Sequence, residues 1–247
     1  AVMAALRTVP ADRHLHSLHV YFLLGGDPSV PIIYDVENVR DGRSFTTRRI
    51  SARQHGKMIF FMTASFQIAE DGWEHQDGIP ATVAPQDATS LPDLIAMVDE
   101  NAAKEWQREW GGFESRYVGD PRPADDPSRE TLPVVQHMWF KVNETLPDDP
   151  NLHQAIFTYY SDFSLLSASL VPQKLLISSP KVQPASLDHV IWFHRPFRMD
   201  DWLLYDQTSP SASGARGLTL GKVFTESGDL VATVAQEGLI RPTKPRS

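Results

Sequence analysis

Residues 186–197 read SLDHVIWFHRPF, and residues 19–27 read HVYFLLGGD. Laid over each other from His189 and His19, both run from a histidine and a valine into aromatic and aliphatic residues of the kind that fill strands. A second pair matches in the same way, GKMIFFMTA from Gly56 and GDLVATVAQ from Gly228. An internal repeat decides architecture before any local reading does.

The flanking sequence agrees with a repeat. AVMAALRTVP reads as the last turns of a helix already under way, and it has no initiator Met, so a longer N-terminus is expected. HLHSLHVYFLLGG is a strand that stops at Gly25-Gly26. PIIYDVENV and RSFTTRRISARQ are strands joined at Asp41-Gly42, a hairpin signal. His55-Gly56 turns the chain into KMIFFMTASFQ. Residues 69–93 are polar and rich in Pro and Gly, hence loop. Residues 91–110 show helical spacing, and GDPRPADDPSRE (119–130) is loop again. After a strand at LPVVQHMWFKV (132–142), residues 148–170 read as a helix. Asp148 or Asp149 can cap it, and Pro150 suits its first position. Ala155, Ile156, Tyr159, Tyr160 and Phe163 give it an apolar stripe. The strands SLDHVIWFHRPF, DWLLYDQTSPS, ARGLTLGKVFTES and DLVATVAQEGLI follow. Each half is thus a helix and then four strands. The expectation is an α+β fold of two hotdog modules, each a helix wrapped by an antiparallel sheet. The first spans 1–70, a linker with a helix 71–130, and the second 131–243.

Composition narrows the function. The 247 residues carry a net charge of -8, which disfavours nucleic acid or an anionic membrane as main partner. With no cysteine, thiol catalysis, disulfides and cysteine-based zinc sites are excluded. No apolar run reaches the roughly 18 residues of a membrane span, and the N-terminus does not read as a signal peptide.

Several motifs fail. His14, His16 and His19, and likewise His189 and His194, do not share one strand face, so no metal is expected. There is no HExxH, no phosphate-binding glycine loop and no GxSxG elbow. Ser186 alone reads as a strand-edge hydroxyl. Asp162 differs, because it interrupts the apolar run FTYYSDFSLL, where a carboxylate is costly unless paired or used. Gln236 similarly interrupts the strand LVATVAQEGL.

Residues 16–67 and 188–241 together resemble the acyl-CoA thioesterase II family, the double-hotdog thioesterases. The family's opening strand and a "GGQ"-type segment are absent here, and residues 111–131 resemble it least. The resemblance implies an acid, a hydroxyl and an amide in the second module: Asp162, Ser186 (Thr in some members) and Gln236. It implies hydrolysis of fatty acyl-CoA by an activated water, without metal or organic cofactor. Asp162 would take the proton, and Ser186 and Gln236 would help hold the water. Arg43, Arg48 and Arg216 are candidates for the coenzyme A phosphates, and His16 for a substrate contact. The expected setting is a cytoplasmic homo-oligomer without membrane insertion. The alternatives are an enoyl-CoA hydratase, which would pair the Asp with a His that the helix after Asp162 lacks, or a non-catalytic acyl-CoA binding module. Registering His19 on His189 sets His16 where Ser186 stands, and registering Gly56 on Gly228 sets Ala64 where Gln236 stands. One site per chain is therefore expected, in the second module.

Overall fold

The computed structural model describes residues 1–131 and 134–243. A short helix α1 (Val2–Leu6) precedes strands β1 (His14–Phe22), β2 (Ile33–Asp41), β3 (Phe45–Gln54) and β4 (Lys57–Gln67). After a long irregular stretch come β5 (Thr89–Ser90), helices α2 (Leu91–Ala96) and α3 (Glu100–Trp110), β6 (Phe113–Gly119) and α4 (Ser128–Thr131). Then follow β7 (Val134–Val142), α5 (Pro150–Tyr160), α6 (Asp162–Leu165) and a 3-10 stretch Leu166–Gln173. The chain ends in β8 (Val182–Ser186), β9 (Asp188–Phe193), β10 (Leu203–Ser213), β11 (Arg216–Thr225) and β12 (Leu230–Pro242).

The strands form one 12-stranded sheet in the order β2-β3-β4-β1-β9-β12-β11-β10-β7-β6-β5, with β8 also on β12. The two halves meet where β1 pairs antiparallel with β9, so each closes the other's open strand edge. The segment expected as a linker with one helix holds strands β5 and β6 and helices α2 and α3, and α4 begins within it. β6 pairs with β7, and its sequence FESRYVG alternates too weakly to read as a strand. The first two residues of the strand expected at 132–142 lie outside the described residues.

Asp149 caps α5, its carboxylate accepting from the Asn151 N–H at 3.0 Å, while Asp148 pairs with Arg198 at 3.1 Å. The buried stripe is rotated from the expected one: His153, Phe157 and Tyr160 face the sheet. Tyr159 lies outside, because its ring stacks on Trp110 of α3 at 5.0 Å. Tyr160 instead stacks on Phe140 at 4.3 Å, within a core that runs across both halves.

Strand pairing corrects the registration of the repeat. Val20 pairs with His189 and His19 with Val190. Val20 and His189 are buried toward the helices, whereas His19 is exposed on the outer face. Overlaying the two histidines puts opposite faces together, since a shift of one residue turns every side chain over. The ladders show the true equivalence. Leu15 opposite Phe66 in one half corresponds to Ser186 opposite Gly238 in the other. Leu15, not His16, therefore holds the place of Ser186, while Ala64 keeps the place of Gln236.

The helical segment 161–170 lies close on the sheet because two facing positions are glycine. A Cβ at Gly217 would come within 2.5 Å of Ser169, and one at Gly238 within 2.5 Å of the Leu166 side chain. Gly221 instead leaves room for the Tyr205 ring of the neighbouring strand. Gly217→Ala should therefore push the segment outward. The expected outcome is a fall of about 1–3 kcal/mol in denaturant stability.

Candidate active site

Three residues far apart in sequence converge at the start of α6. The Ser186 hydroxyl donates to Asp162 Oδ1 at 2.9 Å. The Gln236 side-chain amide donates to the same Asp162 oxygen and, at 2.8 Å, to Ser186 Oγ. Asp162 and Ser186 are half-buried and Gln236 is buried. Strand pairing makes the meeting possible. Ser186 ends β8 opposite Gly238, two residues from Gln236 on β12, so both side chains point to the helix face. Among the described contacts both donors fall on Oδ1, which leaves Oδ2 as the free oxygen of the carboxylate.

Beneath the triangle, a row of buried polar groups pins the helical segment to the sheet. Tyr205 donates its hydroxyl to the Ser161 carbonyl at 3.0 Å. Gln207 donates to Ser164 Oγ at 2.6 Å, and Gln136 donates to Gln207 Oε1 at 2.8 Å. His189 Nε2 lies 2.8 Å from Ser161 Oγ. Burial pushes the His189 imidazole toward its neutral form, against the charge of Asp162, the Gln236 side chain, which favours the protonated ring, and the charge of Asp188. Burial and the Asp162 charge push the Tyr205 phenol up. Sequence reading passed over Tyr205, Gln207, Gln136, Ser161 and Ser164. The available signal was a polar group at isolated inward positions of otherwise apolar strands, Gln136 on β7 and Tyr205 and Gln207 on β10.

The remaining candidates lie elsewhere. Arg48 is 2% exposed and its guanidinium is fully engaged. It donates to the Thr8 hydroxyl and carbonyl, to the Arg40 and Thr47 carbonyls, and to Asp41 at 2.7 Å. It staples the α1–β1 connection to the β2–β3 hairpin and has no donor left for a phosphate, which corrects the expectation for this residue. Arg216 pairs with Glu237 at 2.9 Å on the outer face of β11, opposite the face that carries Asp162. Arg43 is exposed in the β2–β3 turn. His16 bonds Ser65 Oγ at 2.8 Å and meets the edge of Phe45, outside the triangle, and burial lowers its pKa. No cluster of three or more His, Asp or Glu suited to a metal occurs among the described residues.

Comparison with known proteins decides the family. Residues 120–239 match the acyl-CoA thioesterase model, and residues 1–67 match the acyl-CoA thioesterase N-terminal domain. Acyl-CoA thioesterase 2 of Haemophilus influenzae is 39% identical over 246 residues, 98% of this chain and 84% of that protein. The chain belongs to the acyl-CoA thioesterase family. The solved structure of an acyl-CoA thioesterase II, TesB2, from Mycobacterium marinum superposes with a TM-score of 0.85 at 43% identity. That match covers 99% of this chain and 87% of the other. An Alicyclobacillus acidocaldarius protein with a hot dog fold superposes at a TM-score of 0.72 and 19% identity, covering 98% and 85%, a likeness of fold alone. The α+β double-hotdog architecture follows, and the thioesterase is a hydrolase of acyl-CoA.

Two outcomes test this geometry. Arg48→Met in the thioesterase should lower the melting temperature, because removing the guanidinium strands several buried acceptors, each worth about 1–3 kcal/mol. The KM for acyl-CoA should stay within about twofold, read by steady-state kinetics below the melting point. The second concerns pH. His189 has its folded pKa lowered from 6.5. Below that value the unfolded chain takes up a proton that the native imidazole refuses, so stability falls as pH drops toward the native pKa. Asp162 and Asp188 are the charged groups that act on the ring. Melting temperatures between about pH 7 and 5 should decline more steeply in the wild type than in His189→Asn.

Proposed function

We propose that this thioesterase hydrolyses fatty acyl-CoA to a free acid and coenzyme A with Asp162 as the general base. The observation that carries the reading is the half-buried Asp162 carboxylate whose Oδ1 is held by Ser186 and Gln236. With Oδ1 fixed, Oδ2 is the oxygen that can take a proton from water. The water oxygen attacks the thioester carbonyl carbon, and its proton passes to Oδ2. The tetrahedral intermediate collapses, the C–S bond breaks and the thiolate leaves with the proton returned by Asp162. Ser186 and Gln236 orient the base, because both Gln236 N–H groups are spent on Asp162 and Ser186. This differs from the expectation that they hold the water directly.

Finer points belong to the same proposal. Fatty acyl chains, and with them a role in lipid metabolism, are supported by the aromatic side chains beside the carboxylate, where Phe163 lies 4.5 Å from Trp110. A homo-oligomer is supported by exposed apolar residues of the first half, among them Tyr21, Ile33 and Tyr34. A cytoplasmic setting is supported by the Haemophilus influenzae relative, and no helix among the described residues is long and apolar enough to cross a membrane. One site per chain is supported by Leu15 and Ala64, which occupy the places of Ser186 and Gln236 in the first half.

Asp162→Asn should keep the fold and lower kcat by about 10²–10⁴, the usual contribution of a general base. The assay is free-thiol release from acyl-CoA substrates of graded length. A folded variant within a few-fold of wild type would remove Asp162 from this role.

A further inference from the structure

We infer that His189 is a positioning residue of the hydrolysis, its neutral ring carrying the proton on Nδ1 and holding the side-chain oxygen of Gln236. The inference rests on the reading of Asp162, Ser186 and Gln236 as the catalytic set.

The argument begins with two orphans. His189 Nδ1 and Gln236 Oε1 are both buried and both lack a hydrogen-bond partner among the described residues. Such atoms are costly to leave unpaired inside a protein. The two orphans belong to neighbours. β9 and β12 pair Ile191 with Val234 and Val190 with Ala235. One step further the ladder sets His189 opposite Gln236, with both side chains on the buried helix face. The two unpaired atoms thus sit on side chains that neighbour each other across the ladder.

Proton bookkeeping selects the tautomer. His189 Nε2 faces Ser161 Oγ at 2.8 Å, and that hydroxyl also lies 3.1 Å from the Thr158 carbonyl. If Nε2 carried the ring proton, Ser161 would donate to Thr158 and the Nδ1 lone pair would face the Gln236 oxygen, acceptor against acceptor. Turning the Gln236 amide over would cure that clash. It would also aim the amide oxygen at the Asp162 carboxylate and at Ser186, where two N–H groups now point. With the proton on Nδ1, Ser161 gives its one hydroxyl hydrogen to Nε2 in place of the longer contact to Thr158, Nδ1–H donates to Gln236 Oε1, and the amide presents N–H to Asp162 and Ser186. The ring therefore decides which way the Gln236 amide faces, and through it how the base is held. His189 itself contacts neither reacting atom.

Steady-state kinetics and melting temperatures of His189→Leu and His189→Asn provide the test. The Leu variant, which cannot donate, should lose about 10- to 100-fold in kcat, the effect of a weakened charge-assisted hydrogen bond at the base, with KM within about twofold. Asn carries an amide N–H near the place of Nδ1 and should recover at least about tenfold of that loss. Equal losses in the two variants at matched melting temperature, or a folded Leu variant within twofold of wild type, would overturn the inference. Should His189→Leu fail to fold, ¹⁵N spectra of the histidine-labelled wild type decide. A proton on His189 Nδ1 and none on Nε2 is expected, and the reverse tautomer refutes the role. Asp162→Asn run alongside separates the two levels. An inactive Asp162→Asn with a fully active His189→Leu removes only this inference, whereas an active Asp162→Asn removes the catalytic reading beneath it.

Discussion

The site depends on how closely a helical segment can lie on a sheet. Asp162 stands at the first turn of α6, and its useful partners stand on β8 and β12. Gly217 and Gly238 remove the side chains that would hold the layers apart. Apolar contact alone would let the segment slide, since dispersion and burial carry little direction. The row Tyr205, Gln207, Gln136 and His189 supplies direction, with each polar group meeting a backbone or hydroxyl group of residues 161–167. Burying that many polar groups is tolerable because they satisfy one another.

The fold was legible to the extent that each signal was local or repeated. The meander β1–β4, the Asp149 cap and the β9–β12 strands all follow from alternation, turn residues and capping chemistry. β6 was not legible, because its pairing with β7 is nonlocal and its sequence alternates weakly. The histidine overlay failed for a definite reason. Matching letters ignores strand parity, and a single residue of offset exchanges the buried face for the exposed one. Only the ladders show that Leu15 and Ser186 are equivalent.

The proposed catalytic set was legible in part through cost. A carboxylate in an apolar helix and an amide in an apolar strand each stand out, because burial of either is unfavourable without a partner. That argument nominates Asp162 and Gln236 from residue chemistry alone. It does not nominate Ser186, a small hydroxyl that any strand edge tolerates, and resemblance to a family was needed there. Arg48 shows the limit of reasoning from charge. A cation is a plausible phosphate ligand on paper, yet five contacts to neighbouring oxygens occupy it in the fold.

The repeat and the proposed single site are two sides of one arrangement. A pair of helix-on-sheet modules sharing one continuous sheet gives each module a partner edge at β1 and β9, so both must keep their strands. Chemistry needs only one helix–sheet junction to hold a base. In the second half that junction carries Ser186 and Gln236, and the corresponding places of the first half carry Leu15 and Ala64, 2% and 0% exposed. Apolar residues there do what polar ones cannot, packing without partners and lending the shared core stability. The first half thereby offsets the cost of a buried polar site in the second. Selection on such a duplicated fold can polarise one junction while it seals the other, because the two lie on one sheet and draw on one core.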